Sequence, residues 1–141
     1  MLSALSEAGA DYLVVGAHAL AVHGYPRATG DLDIWVRPTK ENADRVWQAI
    51  AEFGAPRRNL RREDFFTPDT VFQIGVEPNR IDILTSIDGV EFDEAWLDRR
   101  PTTVDKISFH VLSRVQLLKN KRAAGRPKDL ADAAYLEQLD G

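Results

Sequence analysis

Two acidic residues spaced two apart, Asp31 and Asp33, stand in a run that is otherwise apolar: Leu32, Ile34, Trp35 and Val36. Such a run reads as a strand, where residues i and i+2 project from one face about 6.6–7 Å apart along the chain. Aspartate is among the residues least suited to strands, and like charges held close repel each other. A chain that accepts both needs either solvent on that face, as on an edge strand, or a compensating cation. Magnesium suits the second case, because it is a hard ion usually held by one or two carboxylates together with the phosphates of a substrate.

The stretch that precedes the pair adds to it. An apolar run at 13–15 stops at Gly16, and a short Ala/Leu/Val segment then carries His18 and His23 to Gly24. The whole of 12–36 reads as strand, tight turn, short helix, loop and strand. Free N–H groups at a helix N-terminus bind phosphate, glycine lets a backbone approach a ligand closely, and Ala17 adds little bulk. A phosphate cradle and a metal clamp therefore sit on consecutive strands. A third acid, Asp82, lies at the centre of Arg80-Ile81-Asp82-Ile83-Leu84, an apolar strand. An acid inside such a strand is rarely buried without a partner, and a cation held by Asp31 and Asp33 would be one; a solvent-facing position is the alternative.

With these residues in place the chain resembles the polymerase-beta-like nucleotidyltransferase superfamily. Gly16-Ala17, Asp31-Leu32-Asp33-Ile34 and Ile81-Asp82-Ile83 are similar to its Gly-Gly/Ser, Asp-x-Asp and third-Asp motifs. Arg27-x-Thr29-x-Asp31, Ile87-Asp88-Gly89-Val90, Phe92-Asp93-Glu94-Ala95-Trp96 and Lys121-x-x-Ala124-Gly125-Arg126-x-Lys128-Asp129-x-x-Asp132 resemble its small prokaryotic members. These include the AbiEii-type nucleotidyltransferases of toxin–antitoxin and abortive-infection systems. The likeness covers nearly the whole chain, and Ala17 departs from it by lacking the hydroxyl of a serine at that place.

The resemblance implies an α+β nucleotidyltransferase-like fold: a mixed, mostly antiparallel sheet of about four to six strands packed against helices, with C-terminal helices over 113–141. It implies transfer of an NMP from an NTP to a hydroxyl. Asp31 and Asp33 would hold Mg2+ or Mn2+, while Asp82 would complete the metal site or act as general base. Gly16 and Ala17 would cradle phosphates, with Arg27, Thr29, Lys121, Arg126 and Lys128 as further NTP contacts. The acceptor would be the 3′ end of a tRNA or other RNA, or a hydroxyl on a toxin–antitoxin partner protein. A catalytically weak binding partner with the same fold is the alternative. A metal-dependent nuclease also uses clustered acids, but the Gly16 cradle gives it no support.

At 141 residues one domain, 1–141, is expected, long enough to bury a core of its own. A net charge of −4 argues against gripping long nucleic acid through overall charge, yet half of the eighteen Lys and Arg lie in 99–128 against the single acid Asp105. That segment is a candidate for phosphate or RNA contact, or else a solvated helix face. The absence of cysteine excludes disulfides and thiolate metal sites. His18 and His23 lack zinc spacing; local hydrogen bonding is expected of them, with His18 close enough to the cradle to touch substrate. No apolar run approaches the roughly twenty residues of a membrane helix, and the opening Met1-Leu2-Ser3 lacks a signal-peptide pattern, so a cytoplasmic protein is expected.

Elsewhere the spacing predicts a helix ending at Gly9 and another behind the Thr39 N-cap. The second carries Ala43, Val46, Trp47, Ile50 and Phe53, with Trp47 in the core. Arg57, Arg58, Arg61 and Arg62 form a basic cluster read as solvated or phosphate-binding. A strand over 71–76 turns at Pro78-Asn79 into the Asp82 strand. Asp93 and Glu94 open a short helix, and two strands meet at Asp105-Lys106. Ser113 caps a helix stopped at Gly125, and Pro127 opens a last helix with Leu130, Ala133, Ala134 and Leu139 facing inward.

Overall fold

The apolar run at 13–15 becomes β1 (Tyr12–Val15), whose residues are all buried because the strand lies inside a sheet and not at its rim. The structure, a computed structural model, describes residues 1–25, 30–56, 60–76 and 79–139. The other strands are β2 (Leu32–Val36), β3 (Val71–Ile74), β4 (Ile81–Leu84), β5 (Arg100–Val104) and β6 (Ile107–Val111). Six strands form one sheet in the order β3-β4-β2-β1-β6-β5. The pairs β1–β2, β3–β4 and β5–β6 are antiparallel, while β2–β4 and β1–β6 are parallel. The sheet is mixed and mostly antiparallel, and with its helices the architecture is α+β, as the sequence predicts.

Helices α1 (Leu2–Glu7), α2 (Gly16–Val22), α3 (Lys40–Phe53), α4 (Phe92–Leu97), α5 (Arg114–Ala124) and α6 (Pro127–Leu139) cover both faces. Strand alternation decides which residues meet them. Ile34, Val36 and Ile83 pack with Leu5 of α1 and with Val46 and Ile50 of α3. Trp35 turns to the other face, packing with Phe92 of α4, Leu117 of α5 and Leu136 of α6. Each large apolar side chain removed from water contributes about 1.5–3 kcal/mol. Asp33, two residues before Trp35, shares its face, so the same alternation that builds the core turns this carboxylate toward α5 and α6.

Local rules hold at most boundaries. Thr39 Oγ1 accepts from the Asn42 backbone N–H at 3.3 Å and Ser113 Oγ from that of Gln116 at 3.2 Å. The buried Asn42 side chain also donates to the carbonyls of Asp11 and Arg37 and accepts from the Asp11 N–H, tying α3 to β1.

Three expectations need correction. β3 stops at Ile74, before Gly75 bends the chain, and leaves Val76 exposed. Trp47 is half-buried at the edge of the α3 core. On α6, Leu130, Ala134 and Leu139 are exposed, and the inward face is Asp129, Asp132, Ala133 and Leu136. The helix is turned by its acids, which pair with Lys121 of α5. Among the described residues no helix is long and apolar enough to cross a membrane. Arg27, Thr29, Arg57, Arg58 and Pro78 lie outside the described residues.

Candidate active site

Gly16 closes β1 and opens α2 with φ +68°, a conformation that glycine adopts readily and other residues rarely do. A Cβ there would lie 2.2 Å from Asp33 Oδ2, so the position is dictated by a neighbour as well as by the backbone. The neighbour arrives through strand register: Val15 pairs with Asp33 across β1–β2, and Asp33 with Asp82 across the parallel pair β2–β4. Asp31 stands just ahead of β2, where its Oδ1 accepts the backbone N–H of Arg80 at 2.9 Å. Three acids from two strands thus share one end of one sheet face.

They line a polar cavity of about 390 Å3, with Gly16 and Ala17 at the same wall. The opposite wall belongs to the C-terminal helices and brings in Lys121, Arg126 and Lys128. All the candidate site residues that the structure describes therefore meet in one cavity.

The cavity also holds three charged residues to which the sequence reading gave no role. Arg80 donates through Nε to Asp82 Oδ1 at 2.8 Å and through Nη2 to Oδ2 at 3.2 Å, with Nη2 4.0 Å from Asp31 Oδ2. Asp129 and Asp132, both buried, flank Lys121, whose Nζ lies 3.4 Å from Asp129 Oδ1 and 3.3 Å from Asp132 Oδ2. Arg126 Nε donates to Asp129 Oδ2 at 2.6 Å, and this bond, aided by Lys121, holds the Asp129 carboxyl below its usual range. The available signals were the i, i+3 spacing of the two acids on α6 and the basic residue two before Asp82.

Charge balance tests whether the cavity suits a divalent ion. Burial first, then the nearby Asp82 carboxylate, pushes the Asp33 carboxyl above its usual range; Arg80 pulls it back, Asp31 adds to the rise, and His18 lowers it. Arg80 is the cation set among these three carboxylates, while over the whole cavity five carboxylates meet four cationic side chains; the acids offer only oxygens, the donor type that Mg2+ and Mn2+ take. Among the described residues no group of three or more His, Asp or Glu side chains stands together as one that could hold a metal ion. Arg80 reaches toward both Asp82 and Asp31.

Most other basic groups of 99–128 are committed elsewhere. The Arg99 guanidinium lies 4.0 Å over the Trp96 ring, Lys119 pairs with Glu94 at 2.6 Å, Arg122 pairs with Glu137, and Arg114 donates to the Leu136 carbonyl. Arg62 pairs with Asp44 at 3.6 Å on the surface. Asp93 and Glu94 open α4 as expected. His23 Nε2 donates to the Leu112 carbonyl at 2.7 Å, a bond across the fold and not a local one. His18 lines a different, largely apolar cavity beside α2.

No protein-family model matches the sequence, and no curated protein matches it. Solved structures do match the fold, among them the following two. One, from Thermotoga maritima, is provisionally assigned as a nucleotidyltransferase; it is 16% identical, with a TM-score of 0.60 over 97% of this chain and 86% of that one. The other is the lincosamide antibiotic adenylyltransferase LnuA with lincomycin bound, 15% identical, with a TM-score of 0.59 over 98% of this chain and 92% of that one. At such identities the likeness is one of fold: a nucleotidyltransferase-like arrangement of sheet and helices.

Proposed function

We propose that this chain transfers a nucleotidyl group from an NTP to a hydroxyl acceptor in a metal-dependent reaction. The observation that carries the reading is the meeting of Asp31, Asp33 and Asp82 with the Gly16–Ala17 turn and four cationic side chains in a single cavity. In this reading the acceptor oxygen attacks the α-phosphorus, the bond from that phosphorus to the bridging oxygen breaks, and pyrophosphate departs. The hydroxyl proton passes to a carboxylate or to water. Asp31, Asp33 and Asp82 would hold Mg2+ or Mn2+, which when bound neutralises charge on the attacking and departing oxygens.

The backbone amides of Gly16 and Ala17, lacking partners within the helix they open, are placed to donate to phosphate oxygens. Lys128 and Arg126 would carry charge to the triphosphate, and Lys121, oriented by Asp129 and Asp132, would do so at a fixed place. Asp82 would serve as ligand or base only after Arg80 releases its carboxylate oxygens, and Arg80 is then free to turn to phosphate.

Acceptor classes are an RNA or tRNA 3′ end and a hydroxyl on a toxin–antitoxin partner protein. The lincomycin-bound neighbour adds a small hydroxylated molecule. A labelled-NTP assay with Mg2+ or Mn2+, all four nucleotides and each acceptor class tests the reading. Transfer is expected, and Asp31→Asn and Asp33→Asn each lower it by at least about 10²-fold. The second reading, a catalytically weak binding protein, draws on Arg80, whose guanidinium already neutralises Asp82. It wins if wild type and both variants are equally inert while a partner still co-purifies.

A further inference from the structure

The cations of the carboxylate cavity are not equivalent. Lys121 stands between Asp129 and Asp132, and Arg126 is bonded to Asp129, whereas Arg80 lies against Asp82 and Asp31. Its fork meets both Asp82 oxygens, with Nε 2.8 Å from Oδ1 and Nη2 3.2 Å from Oδ2, the pairing that a planar guanidinium makes best with a carboxylate. The Arg80 backbone is held separately, its N–H donating to Asp31 Oδ1 at 2.9 Å. The side chain, 26% exposed, can therefore leave without the strand moving, but the Asp82 side chain, 11% exposed, is left where an unpaired charge is costly. Whatever displaces the guanidinium has to bring positive charge with it.

A divalent ion seeks the same carboxylate oxygens, and two cations held at one carboxylate repel. Phosphate is the other group that the fork fits, and the same cavity offers the Gly16–Ala17 turn to a triphosphate. We propose that Arg80 exchanges between two partners. In the free protein it holds Asp82 and keeps a divalent ion away from it, and it moves to the phosphates once a metal-bound triphosphate enters. The exchange rests on the transfer reading above and adds an order to it: metal and nucleotide enter together, and metal alone is held weakly.

Mn2+ binding to the free protein, followed by electron paramagnetic resonance, is expected to be at least about tenfold tighter in Arg80→Gln than in wild type. Lys128→Gln, which removes a charge from the same cavity, changes it by less than about threefold. Inorganic tripolyphosphate in EDTA, followed by calorimetry, binds at least about threefold more weakly to Arg80→Gln. The two shifts have opposite signs, whereas loss of a merely structural ion pair would weaken both. Should Arg80→Gln fail to fold, Arg80→Lys, which lacks the fork, is expected to show smaller shifts of the same signs. Equal Mn2+ affinity in wild type and Arg80→Gln, an equal gain in Lys128→Gln, or undiminished tripolyphosphate binding overturns the exchange and leaves the transfer reading standing. Mn2+ held by neither wild type nor Arg80→Gln at up to about 10 mM overturns both.

Discussion

Asp33 and Gly16 are best understood as one unit, since the missing side chain of the glycine is the room that the carboxylate occupies. Gly16→Ala adds both a left-handed strain and a clash, so it should lower stability by about 1–3 kcal/mol in urea unfolding. It should also cut transfer by about 10²-fold or more. Asp33→Asn fills the same space without repulsion, and is expected to abolish transfer with no loss of stability. The three acids were legible in the sequence because aspartate is out of place in an apolar strand. Arg80 was not: a basic residue two before an acid resembles any solvated side chain. Strand alternation lays its guanidinium on Asp82, two residues on, and the β2–β4 pairing brings its backbone N–H to Asp31.

Elements with a single strong local signal followed it. The β5–β6 turn needs two residues at positive φ, and Asp105 (+51°) and Lys106 (+68°) supply them against the preference of L-residues. Lys106→Gly should therefore raise stability by about 1 kcal/mol, read as a higher urea midpoint, without changing transfer, because the turn lies outside the cavity. Where a segment carried two competing stripes, the local signal misled. On α6 the apolar set Leu130, Ala134 and Leu139 competes with Ala133 and Leu136, and apolar spacing alone does not separate them. The pairing of Asp129 and Asp132 with Lys121 decides which stripe turns inward.

At the scale of the molecule, the α5–α6 charge cluster joins the C-terminal helices to the site and makes stability depend on pH. A carboxyl held below its unfolded pKa stabilises the fold above that value, and the contribution fades as pH falls through the folded pKa. For Asp129 the loss begins near its ordinary 3.8 and continues below it. Asp129→Asn should be less stable than wild type at pH 7 by on the order of 1 kcal/mol, since the exposed Arg126 is screened by solvent. The gap should close on acidification below that range, as urea midpoints at a series of pH values would record. The sequence by itself determined the strand–glycine–helix–strand unit, the helix caps, the tight turns and the identity of the acids, because each follows from backbone preference or from a residue at odds with its neighbours. Only the tertiary structure decided that the Arg80 backbone N–H meets Asp31 and that α6 shows its acids to Lys121. Those depend on register and on helix rotation, which long-range packing and charge pairing fix and which no short window of residues contains.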